Sequence, residues 1–381
     1  SSTRASVWQR GTTDMAEKAI RLGGESTADA IVSAVDSLYP EHTFEDKEFA
    51  LKHNDDEISV DTNFAAQNFW KEALIRFFNK KSAVLGLILI VVIVLLAVFG
   101  PGMNSYTYSG QDLSQKNFAP RVPGIERLGI LDGSEKMSTT TGSKSVNAYV
   151  EKGKDDVYYW FGSDLYGRDI WTRTWEGARV SLIIAVAAAI IDMVIGMSYG
   201  LISGYFGGRV DMVMQRFLEV ANGIPRLVIV TLLLLVLQPG MVTIIFALML
   251  TEWVGMSRIA RAEMLKLKDQ EFVLASRTLG AGSFFIIFKE VLPNIIGPII
   301  TQVMFSIPTA IFTEAFLSFV GLGIPVPQCS LGSLISELYN SFTTHPYQII
   351  PPIVVMSLLM LSFNLVADGL REALDPKMKS M

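Results

Sequence analysis

Apolar residues in this chain fall into long blocks, and clusters of charge separate the blocks. A helix needs about 20 mostly apolar residues to cross the hydrocarbon core of a bilayer, and several blocks approach or exceed that length. The pattern predicts six spans, at residues 82–99, 180–203, 217–237, 241–256, 295–320 and 349–366. The first, SAVLGLILIVVIVLLAVF, is preceded by Lys71, Arg76, Lys80 and Lys81 and ended by Gly100-Pro101. Pro225-Arg226 interrupts the inner part of the third. Pro239-Gly240 predicts a tight turn before the fourth, because proline presets its own φ and glycine accepts a positive one. The expected architecture is all-α and polytopic.

This pattern divides the chain into an amino-terminal extension (1–70), an amphipathic lead-in with the first span (71–100), an outer loop (101–179), a core of five spans (180–371) and a short tail (372–381). The core includes one long polar loop, residues 258–294. Orientation follows from lysine and arginine in the short loops. Arg209 and Arg216 lie between spans two and three. Arg258, Arg261, Lys266, Lys268, Arg277 and Lys289 lie between spans four and five, and Arg371, Lys377 and Lys379 follow span six. The loop between spans three and four and the one at 321–348 carry no lysine or arginine. Both termini are therefore expected in the cytoplasm. Residues 129–154, rich in Gly, Ser, Thr and Lys, read as a mobile insertion in the outer loop. No internal repeat recurs at a fixed period.

Composition narrows the function. Half of the 381 residues are hydrophobic and 18% are charged, and the clustering of the apolar ones into span-length blocks is the pattern of a polytopic membrane protein. Cys329 is the single cysteine and His42, His53 and His345 are scattered, so neither an internal disulfide nor a clustered metal site is expected. The net charge of -5 owes much to the acidic run at 41–61, a solvated and partly disordered tail rather than a nucleic-acid surface. The first apolar block starts near Ser82, too deep for a cleaved secretory signal, and is expected to remain as an anchor.

No phosphate loop is present: Gly142-Ser143-Lys144 lacks the required glycine spacing. Gly280/Gly282 and Gly321/Gly323 lack the strand-turn-helix context of a dinucleotide site, and neither H-E-x-x-H nor G-x-S-x-G occurs. The chain is not expected to be an enzyme or to bind a cofactor. Energy for uphill movement would come from a partner or an ion gradient.

Residues 269–294, DQEFVLASRTLGAGSFFIIFKEVLPN, carry the most information. Asp269 is placed to cap a helix of roughly three turns and Gly280 to end it after Leu279. Ser283 is placed to cap a second helix, with Pro293 at the entry to span five. Small Ala275 and Ser276 permit close approach to a groove on another protein, and Phe272 and Leu279 supply apolar contact area. An amphipathic hairpin lying on lipid headgroups fits these residues equally well.

This segment resembles the EAA loop of binding-protein-dependent ABC importers, E-A-A-x(3)-G-x(9)-I-x-L-P. Ala275, Gly280, Leu292 and Pro293 match at full spacing, while Leu274, Ser276 and Glu290 stand where the family has Glu, Ala and Ile. FGSDLYGRDIWTRTWEGARVSL (161–182), GYFGGRVD (204–211) and TEAFLSFVGLGIP (313–325) are similar to signatures of the second permease of oligopeptide and dipeptide importers. The resemblance spans residues 161–376. It implies a type I importer permease of the bacterial cell membrane, with six spans and no chemistry of its own. It also implies a homologous second permease, two cytoplasmic ATPase subunits that bind ATP and Mg, an external peptide-binding protein, peptide as substrate, and a coupling helix formed by Phe272, Leu274, Ala275, Ser276, Leu279, Gly280 and Pro293. Nickel or another solute in place of peptide, a proton-driven secondary transporter using Asp192 and Glu314, and an intramembrane enzyme are the competing readings.

Polar residues inside spans are candidates for the path. Asp192 extends the row Ala188, Gly196, Gly200, Gly204, which lets helices approach closely, and reads either as a path residue or as a clamp between helices. Glu314, in a stripe with Ser306, Ala310 and Ser318, reads as a path or partner contact or as a residue at the wet interface. Asn222 and Asn364 are further candidates, with Glu252 and Asp368 expected near headgroup level. Tyr166, Trp171 and Trp175 among Arg168, Asp169 and Arg173 predict a short helix lying on the outer face. Tyr166, Arg168, Asp169 and Trp171 are then candidate contacts for the receptor, or simple membrane anchors.

Overall fold

A computed structural model describes residues 69–139 and 142–374. The predicted extension up to residue 68 and the tail beyond residue 374 lie outside the described residues. Helix α1 (Phe69–Asn79) meets α2 (Lys81–Phe99) at Lys80, whose extended backbone breaks the helix. Most of α2 exposes large apolar side chains, as a helix in lipid can. Its buried residues, Ala83, Gly86, Ile93 and Ala97, are mostly small.

The outer segment forms an antiparallel hairpin, β1 (Ser134–Thr139) with β2 (Gly142–Asn147), where the composition predicted a mobile insertion. A short helix follows, capped by Asn147, and delivers Tyr149 into a buried aromatic cluster with Phe118 and Tyr159. The Tyr149 hydroxyl donates to the Ala119 carbonyl at 2.8 Å. Tyr149 and a contact of Glu135 in β1 with His345 at 2.9 Å tie the insertion down, and two isolated residues leave no periodic signal.

Helix α3 (Ile170–Ile191) continues through a π-helical turn (Asp192–Gly196) into α4 (Met197–Phe206). The predicted short outer helix is instead the first turns of this span. Asp169 caps it, accepting from the Thr172 N–H at 2.8 Å, so the helix starts at Ile170 rather than near Val180. The third span is bent: α5 (Gly208–Gly223) and α6 (Arg226–Val236) meet at 75°. Pro225 has no N–H and pushes Ile224 into extended backbone (φ −82°, ψ 124°).

Helices α7 (Met241–Thr251) and α8 (Trp253–Leu267) form the next span. After α9 (Glu271–Thr278), a helical turn from Ser283 passes through a π-helical segment (Ile286–Val291) into α10 (Leu292–Leu317) without interruption. The second loop helix and the fifth span are thus one element. Pro293 lies in the first turn of α10 beyond the π segment, and the Asn294 side chain donates to the Glu290 carbonyl. Short α11 (Leu331–Tyr339) and long α12 (Ile350–Leu374) complete the described residues.

Among the described residues five helices are long and apolar enough to cross a membrane, and the bent pair makes a sixth if counted as one. The bundle core joins α3, α7, α10 and α12 through Ile184, Ile244, Ile311 and Leu359. A second cluster lies at the end carrying Lys266, Arg277 and Arg371 and includes Leu201, Met264, Val273 and Ile287.

Candidate functional site

Helix α9 starts after Gln270, not Asp269, and spans two turns rather than three. Asp269 is consumed in the turn that leaves α8. Its end follows the glycine expectation. Gly280 (φ +82°) donates to the Arg277 carbonyl and Ala281 donates to the Ser276 carbonyl, both at 3.0 Å, which is a Schellman closure. One side chain seats the helix: Val273 is fully buried among Leu201, Met264 and Ile287. Burying a valine contributes about 1.5–3 kcal/mol. Arg277 adds a cation–π contact, its guanidinium carbon 4.9 Å from the Tyr205 ring centroid.

The rest of the loop faces outward. Leu279 is 87% exposed and Phe284 63%, and Phe272, Leu274, Ala275 and Phe285 are exposed as well. Ser276 is half-buried and Pro293 exposed. The tip is therefore an apolar surface on a rigid seat. Val273 was missed in the sequence because Phe272, Val273 and Leu274 are consecutive apolar residues, with no period to show which one faces inward.

The four path candidates do not converge. Asp192 is buried in the π-helical turn beside Ser306 of α10, and its Oδ1 has no hydrogen-bond partner. Glu314 is fully buried rather than near a wet interface. Its carboxylate accepts from Ser318 at 2.7 Å, Ser330 at 2.5 Å and Ser181 at 3.1 Å. Ser330 caps α11 and Ser181 accepts from the Leu331 N–H, so Glu314 clamps α3, α10 and α11 together. Asn222 is exposed on α5 and Asn364 is half-buried on α12. Between α8, α10 and α12 an open cleft of about 1000 Å³ is lined by Glu263, Lys266, Asn294, Gln302, Phe305 and Arg371.

At the opposite end, Arg168 and Asp169 are buried. Asp164 Oδ2 accepts from Arg168 at 2.7 Å and from Arg173 at 2.8 Å, and Glu337 of α11 pairs with both guanidinium groups. Burial opposes ionisation of Glu337, but Arg173 and Arg168 outweigh it and hold its carboxyl below the usual range. Trp171 donates to the Gly100 carbonyl at 2.9 Å and packs edge-on to Trp160 and Trp175, so it fastens the first span to the second. Among the four receptor-contact candidates, Tyr166 alone is exposed.

Residues 196–380 match the family described as binding-protein-dependent transport system inner membrane component, and residues 68–120 match the N-terminal TM domain of oligopeptide transport permease C. The chain is 42% identical over 312 residues to the oligopeptide transport system permease protein OppC of Bacillus subtilis (strain 168), covering 82% of this chain and 91% of that one. Identity to the dipeptide transport system permease protein DppC is 39% in the same organism, over 82% of this chain and 87% of that one. It is 41% in Lactococcus lactis subsp. cremoris (strain MG1363), over 82% and 92%. A structure of the MetNI methionine ABC transporter in an inward facing conformation superposes with a TM-score of 0.44 at 16% identity, over 52% of this chain and 94% of that one.

Proposed function

This chain belongs to the family of binding-protein-dependent transport system inner membrane components, and from that premise we propose that it is one of two permeases of an importer for oligopeptides or dipeptides. The substrate class is taken from the names of the relatives. The chain forms half of the pathway with a homologous permease, and peptide is delivered by an external binding protein. Helix α9 docks in a cleft of one of two cytoplasmic ATPase subunits, which bind ATP and Mg. The ends carrying Lys80, Arg277 and Arg371 face the cytoplasm, in line with the lysine and arginine bias of the short loops.

The exposed apolar tip on the Val273 seat carries this reading. A mobile amphipathic loop would not transmit force, whereas α9 is packed into the same cluster as α4, α8 and the start of the fifth span. With Leu274 where the family has Glu, the contact at that point is apolar. The cleft lined by Gln302 and Arg371 then lies on the cytoplasmic side, where the inner part of the pathway would run.

Ala275 gives a clean test, because it is exposed and its replacement leaves the seat intact. Ala275→Trp is expected to fold normally, lose co-purification with the ATPase subunits and lose ATP-driven peptide uptake. Unchanged assembly and uptake would count against docking at α9. Uptake by this polypeptide alone, driven by a pH gradient, would replace the importer reading with a secondary transporter.

A further inference from the structure

The π-helical turn and α4 touch α8 along three glycines, Gly196, Gly200 and Gly204. A Cβ added at Gly200 would lie 2.1 Å from the Ser257 carbonyl oxygen, one at Gly196 2.6 Å from that of Trp253, and one at Gly204 2.9 Å from Met264 Cβ. Backbones in such contact cannot slide past each other without clashing. Helix α9 leaves α8 by a short turn and returns Val273 to the cluster that joins them. Helices α4, α8 and α9 therefore form one rigid block.

The bent third span joins this block by an elbow. Gly207 (φ +59°, ψ −162°) and Gly208 (φ +52°) hold backbone that glycine adopts readily and other residues do not. A Cβ at Gly208 would meet nothing within 4 Å, and one at Gly207 would meet only the end of the Lys268 side chain. Beyond the elbow α5 buries Leu218 alone, against Trp253 and Val254, while the Tyr199 hydroxyl donates to the Met214 carbonyl at 2.8 Å. Such a helix would pivot unless fastened near its base.

The fastening is present. Arg261 of α8 grips Asp211 of α5 with both arms, Nε to Oδ1 and Nη2 to Oδ2, each at 2.6 Å. Ser203 of α4 donates to Asp211 Oδ1 at 2.5 Å, and Gln215 donates to the Ser203 oxygen at 3.1 Å. Lys268 is a further cation that faces Asp211. A fork of two parallel hydrogen bonds fixes angle as well as distance, which a single contact does not.

We propose that the Asp211–Arg261 pair is a positioning strut that makes the bent third span move with the block carrying α9. The proposal rests on the reading of α9 as the ATPase dock. Without the strut, displacement of α9 would still reach α4 and α8, but α5 would turn at Gly207-Gly208 and would not follow them, leaving α6 held only by its own packing on α7 through Val230 and Ala247. Glycine-flanked helix ends commonly absorb such rotations.

Two measurements test it. In the complete transporter, with its partner permease, ATPases and binding protein in proteoliposomes, Asp211→Asn and Arg261→Gln are expected to keep assembly and ATP hydrolysis. Peptide taken up per ATP is expected to fall about tenfold, a size ordinary for coupling between sites. The exchange Asp211→Arg with Arg261→Asp is expected to recover most of that ratio. Unchanged uptake per ATP in both single variants, or an assembled exchange variant as poorly coupled as they are, would overturn the strut.

The second measurement needs no partner. Spin labels on Met212→Cys and Arg258→Cys, both exposed positions, report the distance between α5 and α8. Cys329 is buried and stays unlabelled. The distance distribution is expected to be narrow in the parent and broad with Asp211→Asn. An equally narrow distribution in the variant would sink the strut whatever the ATPases do, whereas an absence of ATP-driven uptake in the parent would count against the importer reading alone.

Discussion

The Arg173 guanidinium, buried in the first turns of α3, lies 2.7 Å from the carboxylate of Glu337 in α11. With Arg168 and Asp164 the group holds two positive and two negative charges, so its burial is compensated.

Removing one carboxylate breaks that balance. Glu337→Gln is expected to cost about 3–5 kcal/mol, read as a lower unfolding temperature in detergent. The pH dependence follows from the same contacts. The folded carboxyl ionises at lower pH than the unfolded one, so its stabilisation is fully present above the unfolded value of about 4.3. It is lost as pH falls through the folded value. Acidification into this range should lower the unfolding temperature of the parent more steeply than that of Glu337→Gln, and parallel curves would contradict the assignment.

Leu279 and Val273 are six positions apart and should behave oppositely. Leu279→Ser removes an exposed side chain and is expected to change stability by less than about 0.5 kcal/mol while weakening capture of the ATPase subunits. Val273→Asp puts an unpaired charge among Leu201, Met264 and Ile287 and is expected to unseat α9. Limited proteolysis of the loop and co-purification measure the two effects.

Gly200 and Gly223 give a contrast in space. A methyl group at Gly200 would meet the Ser257 carbonyl at 2.1 Å, whereas nothing lies within 4 Å of one at Gly223. Gly200→Ala should force α4 and α8 apart and reduce the yield of folded protein. Gly223→Ala should be tolerated. Size-exclusion profiles and unfolding temperatures of the pair decide this.

Glu314 separates a clamp from a proton carrier. Glu314→Gln keeps the shape and most hydrogen bonds to Ser181, Ser318 and Ser330, so transport is expected to survive. Glu314→Ala leaves three buried hydroxyls short of a partner and is expected to cost about 1–3 kcal/mol. Loss of uptake in a well-folded Glu314→Gln would favour proton chemistry instead.

Much was legible in the sequence where the signal is local. The spans showed as apolar blocks, the break at Pro225 as a missing donor, and the end of α9 as a glycine with positive φ. The Asp269 cap failed because the turn out of α8 needed that residue. The predicted outer helix failed because an N-cap at Asp169 merges it with the following span. Arg168 and Asp169, read as surface contacts, are buried by partners distant in sequence.

Local sequence was enough for the class of this protein, a helical membrane permease, because block hydrophobicity and motif spacing are properties of one stretch of chain. Which polar groups meet came from packing alone, because Arg173 with Glu337, Asp211 with Arg261 and Glu314 with Ser181 pair residues far apart in sequence. Inside a bilayer or a core, charge is tolerated only where a partner arrives, and arrival depends on how whole helices stack.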